Sequence, residues 1–225
     1  MPVLQWAFRE RPRIAQIRDY TAILRKQENI NGKLQDGNIM EIKVRHEPFS
    51  VYMKFIAPKT VDGQEVLYVA GENNGQMWAH GVGLYKLAGT RSLDPLHPMA
   101  MAGCKYPLTY VGVLNLIDKL LEVGQHDAQF GNCKVHYYEN IKMGNRECLC
   151  IEVIHPERHN QFRFYLARIY VDNEYNIPVR YESYDWPKAE GQKPELLEAY
   201  SYDNLQINVG LTDKDFSILN KNYNF

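Results

Sequence analysis

The side chains best able to do chemistry here are histidines, cysteines and paired acids, and their spacing decides what each can do. His155 and His159 stand four apart in HPERH, the interval that puts two imidazoles on one helical face as metal ligands. Pro156 and the strand-like runs on either side place them instead in a hairpin loop, and no Glu-x-x-His partner follows, so both read as solvated loop histidines. His80 and His97 lie among glycines and prolines, and His46 and His136 fall on strands; none has a carboxylate or thiol at motif spacing. Cys148 and Cys150, two apart on a predicted strand, share a face and are badly placed to bond each other. With a turn at Lys142–Asn145, Cys148 stands opposite about Glu139 rather than Cys133, so buried free thiols are the simpler reading. A disulfide from Cys133 to one of them stays open, as does the state of Cys104. Asp213 and Asp215 follow Thr212 as in a capping box with Asp for Glu, where acids suit a helix N-terminus.

Other signatures do not appear. The chain has no G-x-S-x-G elbow, no G-x-G-x-x-G and no P-loop, and its C-x-C lacks the second pair a zinc site needs. Arg91 and Arg168 read as strand arginines on a wet face. The residues thus predict no catalytic group, no metal and no cofactor. With 26 basic and 27 acidic residues among 225, the net charge of −1 gives no electrostatic case for nucleic acid or an anionic membrane. No apolar run approaches the roughly 20 residues of a membrane span.

The elements that must position these groups are mostly strands. Glu41–Gly71 holds three runs, Glu41–Glu47, Ser50–Ala57 and Gln64–Ala70, separated by Pro48, Pro58 and Gly63. Ile42, Val44 and His46 alternate with Glu41, Lys43 and Arg45, and Val51, Met53 and Phe55 with Tyr52, Lys54 and Ile56. That is an antiparallel meander with one dry and one wet face. Ahead of it come a helix over Leu4–Arg18, with Pro12 starting or kinking a turn, and a strand over Tyr20–Asn29. Behind it come a short strand, Gln76–Val82, and then Gly83–Leu108, rich in Gly, Pro and Met with no clean period. This reads as an irregular excursion with helical pieces around Ser92–Met101. The clearest helix is Tyr110–Gly124, with Thr109 as N-cap and Gly124 just past its end; Tyr110, Val113, Leu114, Ile117 and Leu121 form its apolar stripe. Strands over 133–141, 147–154, 161–172, 177–186 and 195–208 complete the chain.

Three runs carry a resemblance: RHEPFSVYMKFIAPK with GQEVLYV in the meander, RYESYDWP at 180–187, and NVGLTDKDF at 208–216. Together they resemble an uncharacterised family of exported bacterial proteins, itself similar to the outer-membrane lipoprotein carriers and receptors of LolA/LolB-like fold. The first residues, Met1-Pro2-Val3-Leu4 followed by Gln5 and Arg9, hold no apolar signal core, which alone points to the cytosol. The resemblance implies instead the periplasm or cell envelope, with the signal removed and Met1 an added initiator.

The expected fold is therefore mainly β (α+β): a curved antiparallel sheet of about ten or eleven strands, an incomplete barrel with a helical lid or plug. It is expected to form one domain over 1–225, with 83–124 as lid excursion and helix. Trp78, Met99, Met101, Tyr110, Val113, Leu114, Ile117 and Leu121 are the expected ligand-contacting residues of an apolar groove, since Met suits surfaces that adapt to variable apolar partners. The resemblance implies a non-enzymatic protein that shields lipid or the acyl chain of a lipoprotein. The alternative is an envelope scaffold whose half-barrel is filled by its own side chains and which docks another envelope protein. A hydrolase would require two clustered carboxylates, one with a raised pKa.

Overall fold

The computed structural model describes residues 2–131 and 133–225. Met1, expected as an initiator, lies outside them. Among the described residues the strands are β1 (Asp19–Ile30), β2 (Lys33–Leu34), β3 (Asn38–Arg45), β4 (Ser50–Ala57), β5 (Glu65–Val69), β6 (Met77–His80), β7 (Thr90–Leu93), β8 (Lys134–Met143), β9 (Arg146–Ile154), β10 (Leu166–Asp172), β11 (Pro178–Tyr184) and β12 (Leu196–Ile207). The α-helices are α1 (Pro2–Ile14) and α2 (Val113–Asp127). The strand order is β7-β6-β5-β4-β3-β1-β12-β11-β10-β9-β8, with β2 beside β1. Neighbours from β1 round to β7, and from β8 to β12, are antiparallel. The two ends, β7 and β8, are not neighbours, so the sheet stays open and the mainly-β incomplete-barrel class holds. Twelve strands stand against the expected ten or eleven, because the excursion's four-residue β7 left little pattern to read.

The chain divides into two compact units. One comprises the residues up to Ala15, Gln27–Leu34 and Val113–Ser201; the other is Gln16–Lys26, Gln35–Gly112 and Tyr202–Phe225.

In the first unit, α1 and α2 cover one face of β8–β11. Val3, Trp6 and Leu120 pack on Ile151, Ile169 and Val171, with Leu149, Val153 and Tyr181 around them. Trp6 Nε1 donates to Asn176 Oδ1 at 3.2 Å, and Arg13 Nη2 to the Asn176 carbonyl at 3.0 Å, pinning α1 to the β10–β11 turn. Phe8 is exposed, while Ala7, Glu10 and Ile14 face inward. Gly124 does not end α2, which runs one turn further. A Cβ there would stand 2.5 Å from Leu4 Cδ2, so the glycine permits the close approach of α1.

Three other expectations fail in this unit. Cys148 pairs with Ile141 rather than Glu139, because a bulge at Asn140 (φ 57°) inserts residues into β8. None of the four cysteines forms a disulfide, and Cys148 and Cys150 are buried. Phe162 and Phe164 precede β10 instead of belonging to it, and they close on His155. Its ring stacks on Phe162 at 4.1 Å and 5°, so His155 is buried and only His159 is the solvated loop histidine expected.

In the second unit, Met40, Ile42, Val44, Val51, Met53 and Val66 form the dry face of the meander, as expected. The face predicted to be wet stays so on β3 but not at the middle of β4 and β5. Tyr52 is buried with Leu67, Val69 and Phe216, under Leu211, Tyr223 and Phe225. A capping box between Thr212 and Asp215 opens the short 3-10 turn Asp213–Phe216, as its sequence indicated. Lys43 Nζ meets Asp215 Oδ1 and Arg45 Nη1 meets Asp213 Oδ1, both at 2.6 Å.

The excursion also differs in detail. Its helical piece is a 3-10 turn over Gly83–Ala88, and Thr90–Leu93 pairs with β6 as β7, where a helix was expected around Ser92–Met101. It ends at Gly112, whose φ of 123° and N–H donated to Tyr202 Oη at 3.1 Å break the helix expected from Tyr110. A Cβ on Gly112 would lie 2.9 Å from Tyr20 Oη. Gly112→Ala should cost about 2 kcal/mol or more, strain and contact together, read as a lower urea midpoint at unchanged m. Gly75→Ala, also at positive φ but with open space around it, should cost about half that.

Candidate functional site

The eight residues predicted to line a groove do not share one environment. Val113, Ile117 and Leu121 are buried in the first unit, and Leu114 is half-buried beside them. The other four belong to the second unit. Trp78 pairs with Leu67 across β5–β6 and packs in the Tyr52 cluster, beneath residues 211–225. The last third of the excursion returns on the opposite face: Gly112 approaches Tyr20 and Val44, and Lys26 Nζ donates to Cys104 Sγ at 3.1 Å. Met99 and Tyr110 are more than half exposed, and Met101 is half-buried.

What the structure adds is a run of uncovered apolar side chains in the same excursion. Leu84, Tyr85 and Leu87 are 86%, 70% and 88% exposed, and Leu96 is 68% exposed. The backbone explains it. Gly83 and Gly89, both at positive φ, bracket a six-residue 3-10 turn, and Gly81 lets it close; a Cβ there would meet Tyr85 Cβ at 2.6 Å. A turn so short has no inward face, so its leucines point into solvent. Lys86 and Arg91 stand among them, also exposed. GVGLYKLAG has neither a two- nor a 3.6-residue period, so periodicity alone could not mark it. The legible signal is apolar residues caged between glycines.

The titratable clusters point away from acid–base chemistry. Glu152, buried on the face of β9 away from the helices, accepts from Arg168 Nε at 2.8 Å, Tyr138 Oη at 3.2 Å and His136 Nδ1 at 3.3 Å. Burial pushes its carboxyl up, but these donors, Arg168 foremost, outweigh it and hold the group below the ordinary carboxylate range. Glu182 next to it accepts from Arg180 Nη2 at 2.9 Å and Tyr170 Oη at 3.1 Å. The carboxyls that depart from ordinary values, Glu10, Glu122, Glu152 and Asp215, are all held down. Two clamped carboxylates make a lattice of ionised partners, and a general acid needs the reverse. Among the described residues no cluster of three or more His, Cys, Asp or Glu could hold a metal ion.

Residues 17–225 match the family model described as protein of unknown function, DUF1571. The chain belongs to that family. No curated protein matches this DUF1571 member. Among solved structures it is similar to lipoprotein LppX of Mycobacterium tuberculosis, at 11% identity over 94% of this chain and 98% of that one, TM-score 0.51. LprF of Mycobacterium bovis is similar at 12% identity over 94% and 95%, TM-score 0.51. A LolA superfamily protein of Nitrosomonas europaea is matched at 10% identity over 94% and 97%, with a TM-score of 0.38. The first two carry the likeness, and at such identities it is a likeness of fold.

Because the depressed Glu152 pKa stabilises the folded state above the unfolded carboxylate value, that contribution should vanish as pH falls through the folded pKa. Glu152→Gln should remove about 1–3 kcal/mol at pH 7 and flatten the loss of stability below about pH 4, measured by urea titration across pH.

Proposed function

We propose that this DUF1571 protein is a non-enzymatic protein of the cell envelope that shields lipid, or the acyl chain of a lipoprotein, against the apolar surface of its 83–112 excursion. The observation that carries this reading is the uncovered Leu84, Tyr85 and Leu87 turn, with Leu96, Met99 and Tyr110 also exposed further along the excursion. Soluble proteins seldom leave so many large apolar groups of one excursion exposed. Covering one leucine is worth about 1.5–3 kcal/mol, and a 16-carbon chain gives up at most about 12 kcal/mol on burial. A few such residues therefore supply enough to hold one chain once its ordering is subtracted. Met99 and Met101 suit this role because a thioether side chain adapts to a flexible tail.

In this reading Met99, Met101 and Tyr110 contact the ligand together with Leu84, Tyr85 and Leu87. Trp78, Val113, Leu114, Ile117 and Leu121 hold the elements on either side of the excursion in place. The fold shared with mycobacterial lipoproteins supports an exported, envelope setting. The alternative, docking of another envelope protein, draws on the same exposed turn.

Delipidation and native mass spectrometry of the purified chain, followed by titration with a fluorescent acyl probe, test the proposal. Leu84→Ser with Leu87→Ser should weaken probe binding about tenfold or more while the melting temperature stays within a few degrees, since neither side chain is buried. Absence of both co-purifying lipid and probe binding would sink the acyl-chain reading and leave the docking one.

A further inference from the structure

The segment Asn220–Phe225 sits on β4 and β5 in the manner of a bound peptide. Tyr223 stacks on Tyr52 at 3.8 Å and 10°, and Phe225 meets the same ring edge-on at 6.4 Å. Between these two rings Asn224 gives Glu65 a double contact: its N–H to Oε2 at 3.0 Å and its carboxamide to Oε1 at 2.6 Å. Glu65 is fully buried in β5, and Tyr52 also hydrogen-bonds it. Tyr223 Oη donates to the Asp215 carbonyl at 2.8 Å, and Lys43 Nζ lies 5.5 Å over its ring.

Two features set this apart from a simple cover. Sinking a carboxylate into a sheet face is costly, and an apolar residue at 65 would seat an apolar tail with less penalty. A buried carboxylate that takes one backbone N–H and one carboxamide N–H from the same residue discriminates: it accepts Asn in an aromatic–Asn–aromatic frame and rejects residues that leave it unpaired. The segment is also no strand of the sheet. Apart from the Asn224 N–H on Glu65, its backbone bonds are local, such as Tyr223 N–H to the Asn220 carbonyl at 3.0 Å, so it can lift away without unzipping a ladder. Lifting it bares Tyr52, Leu67, Val69 and Trp78.

We propose that this face of β4–β6 is a recognition site for an aromatic–Asn–aromatic peptide segment of a partner protein, and that Tyr223–Phe225 fill it in cis as a resting plug. The site lies on the opposite face of the meander from Tyr20 and Val44, so it stands independently of acyl-chain binding.

A fluorescein-labelled peptide of residues 220–225, followed by anisotropy, tests it on the full chain. Tyr223→Ala with Asn224→Ala, which weakens the plug, should bind the peptide about tenfold more tightly than the intact chain. Adding Glu65→Gln, or replacing the peptide's central Asn by Leu, should remove that gain. A folded plug variant that ignores the peptide, or binding indifferent to Glu65, overturns the proposal. Should the double variant fail to fold, hydrogen exchange on the intact chain decides: saturating peptide must speed exchange of the Asn224 amide, and unchanged exchange overturns the idea. A dimer of the intact chain in light scattering, dissociated by the peptide, would assign the site to a second copy's segment and overturn the partner-protein reading.

Discussion

Burial of the β4–β5 pair on both faces is the constraint from which the second unit follows. Antiparallel sheets commonly leave one face to water, and β3 obeys, with Glu41, Lys43 and Arg45 alternating against a dry stripe. Its neighbours do not. Ser50 to Met53 are buried in an unbroken run, as are Glu65, Val66, Leu67 and Val69. Such strands need material on each side. On the second side it comes from residues 211–225, anchored by the very cations that mark β3 as wet: Lys43 and Arg45 take Asp215 and Asp213, and Arg45 lies 4.9 Å over Phe216. Exposed ion pairs contribute little, but each here also fixes the register of an aromatic cover.

The first unit answers the same need with different residues. One face of β8–β11 is sealed by α1 and α2 through an aliphatic and tryptophan contact. The other face holds a lattice in which Arg168 and Arg180 lie over Tyr184 and Tyr170 while pairing with Glu152 and Glu182. The guanidinium does two jobs at once, stacking on a ring and neutralising a half-hidden carboxylate. Tyr170 and Tyr184 each present a flat apolar side to a cation and a hydroxyl to Glu182.

Period-two alternation and one strong helical stripe made most of this architecture readable before any coordinates. What escaped did so for identifiable reasons. The second covered face is invisible in β4 because Tyr52 alternates correctly and only its partner, some 170 positions later, shows it is buried. His155 looked like a loop residue because Pro156 follows it, yet Phe162, Phe164 and Asp127, none adjacent in sequence, close around it. Gly124 read as a helix stop because glycine's common role hides its rarer one, close packing against Leu4. Of the groove residues, the α2 stripe was visible from spacing. The Leu84–Leu87 turn was not, since no periodic template describes a segment with no inward face.

That turn is where the two kinds of apolar exposure part company. Residues 211–225 show that this chain can hide aromatic rings from water with a short irregular segment, given a salt bridge or buried carboxylate to hold it. Nothing comparable is spent on Leu84, Tyr85 and Leu87, although Lys86 and Arg91 beside them are suitable anchors of the kind used on β3. An apolar surface left bare where the means to cover it lie adjacent costs solubility and gains nothing within the folded chain. In the function proposed, its benefit comes from outside the chain. The glycines that hold the turn open fit that view: Gly83 and Gly89 adopt a backbone that leucine or alanine would resist, so the outward pose is set by the main chain and does not wait for a ligand. Under that proposal, preformed display of this sort lowers the ordering cost of binding, and flexible apolar matter suits an exposed turn. An acyl chain does so readily, whereas a folded partner would need a pocket shaped in advance.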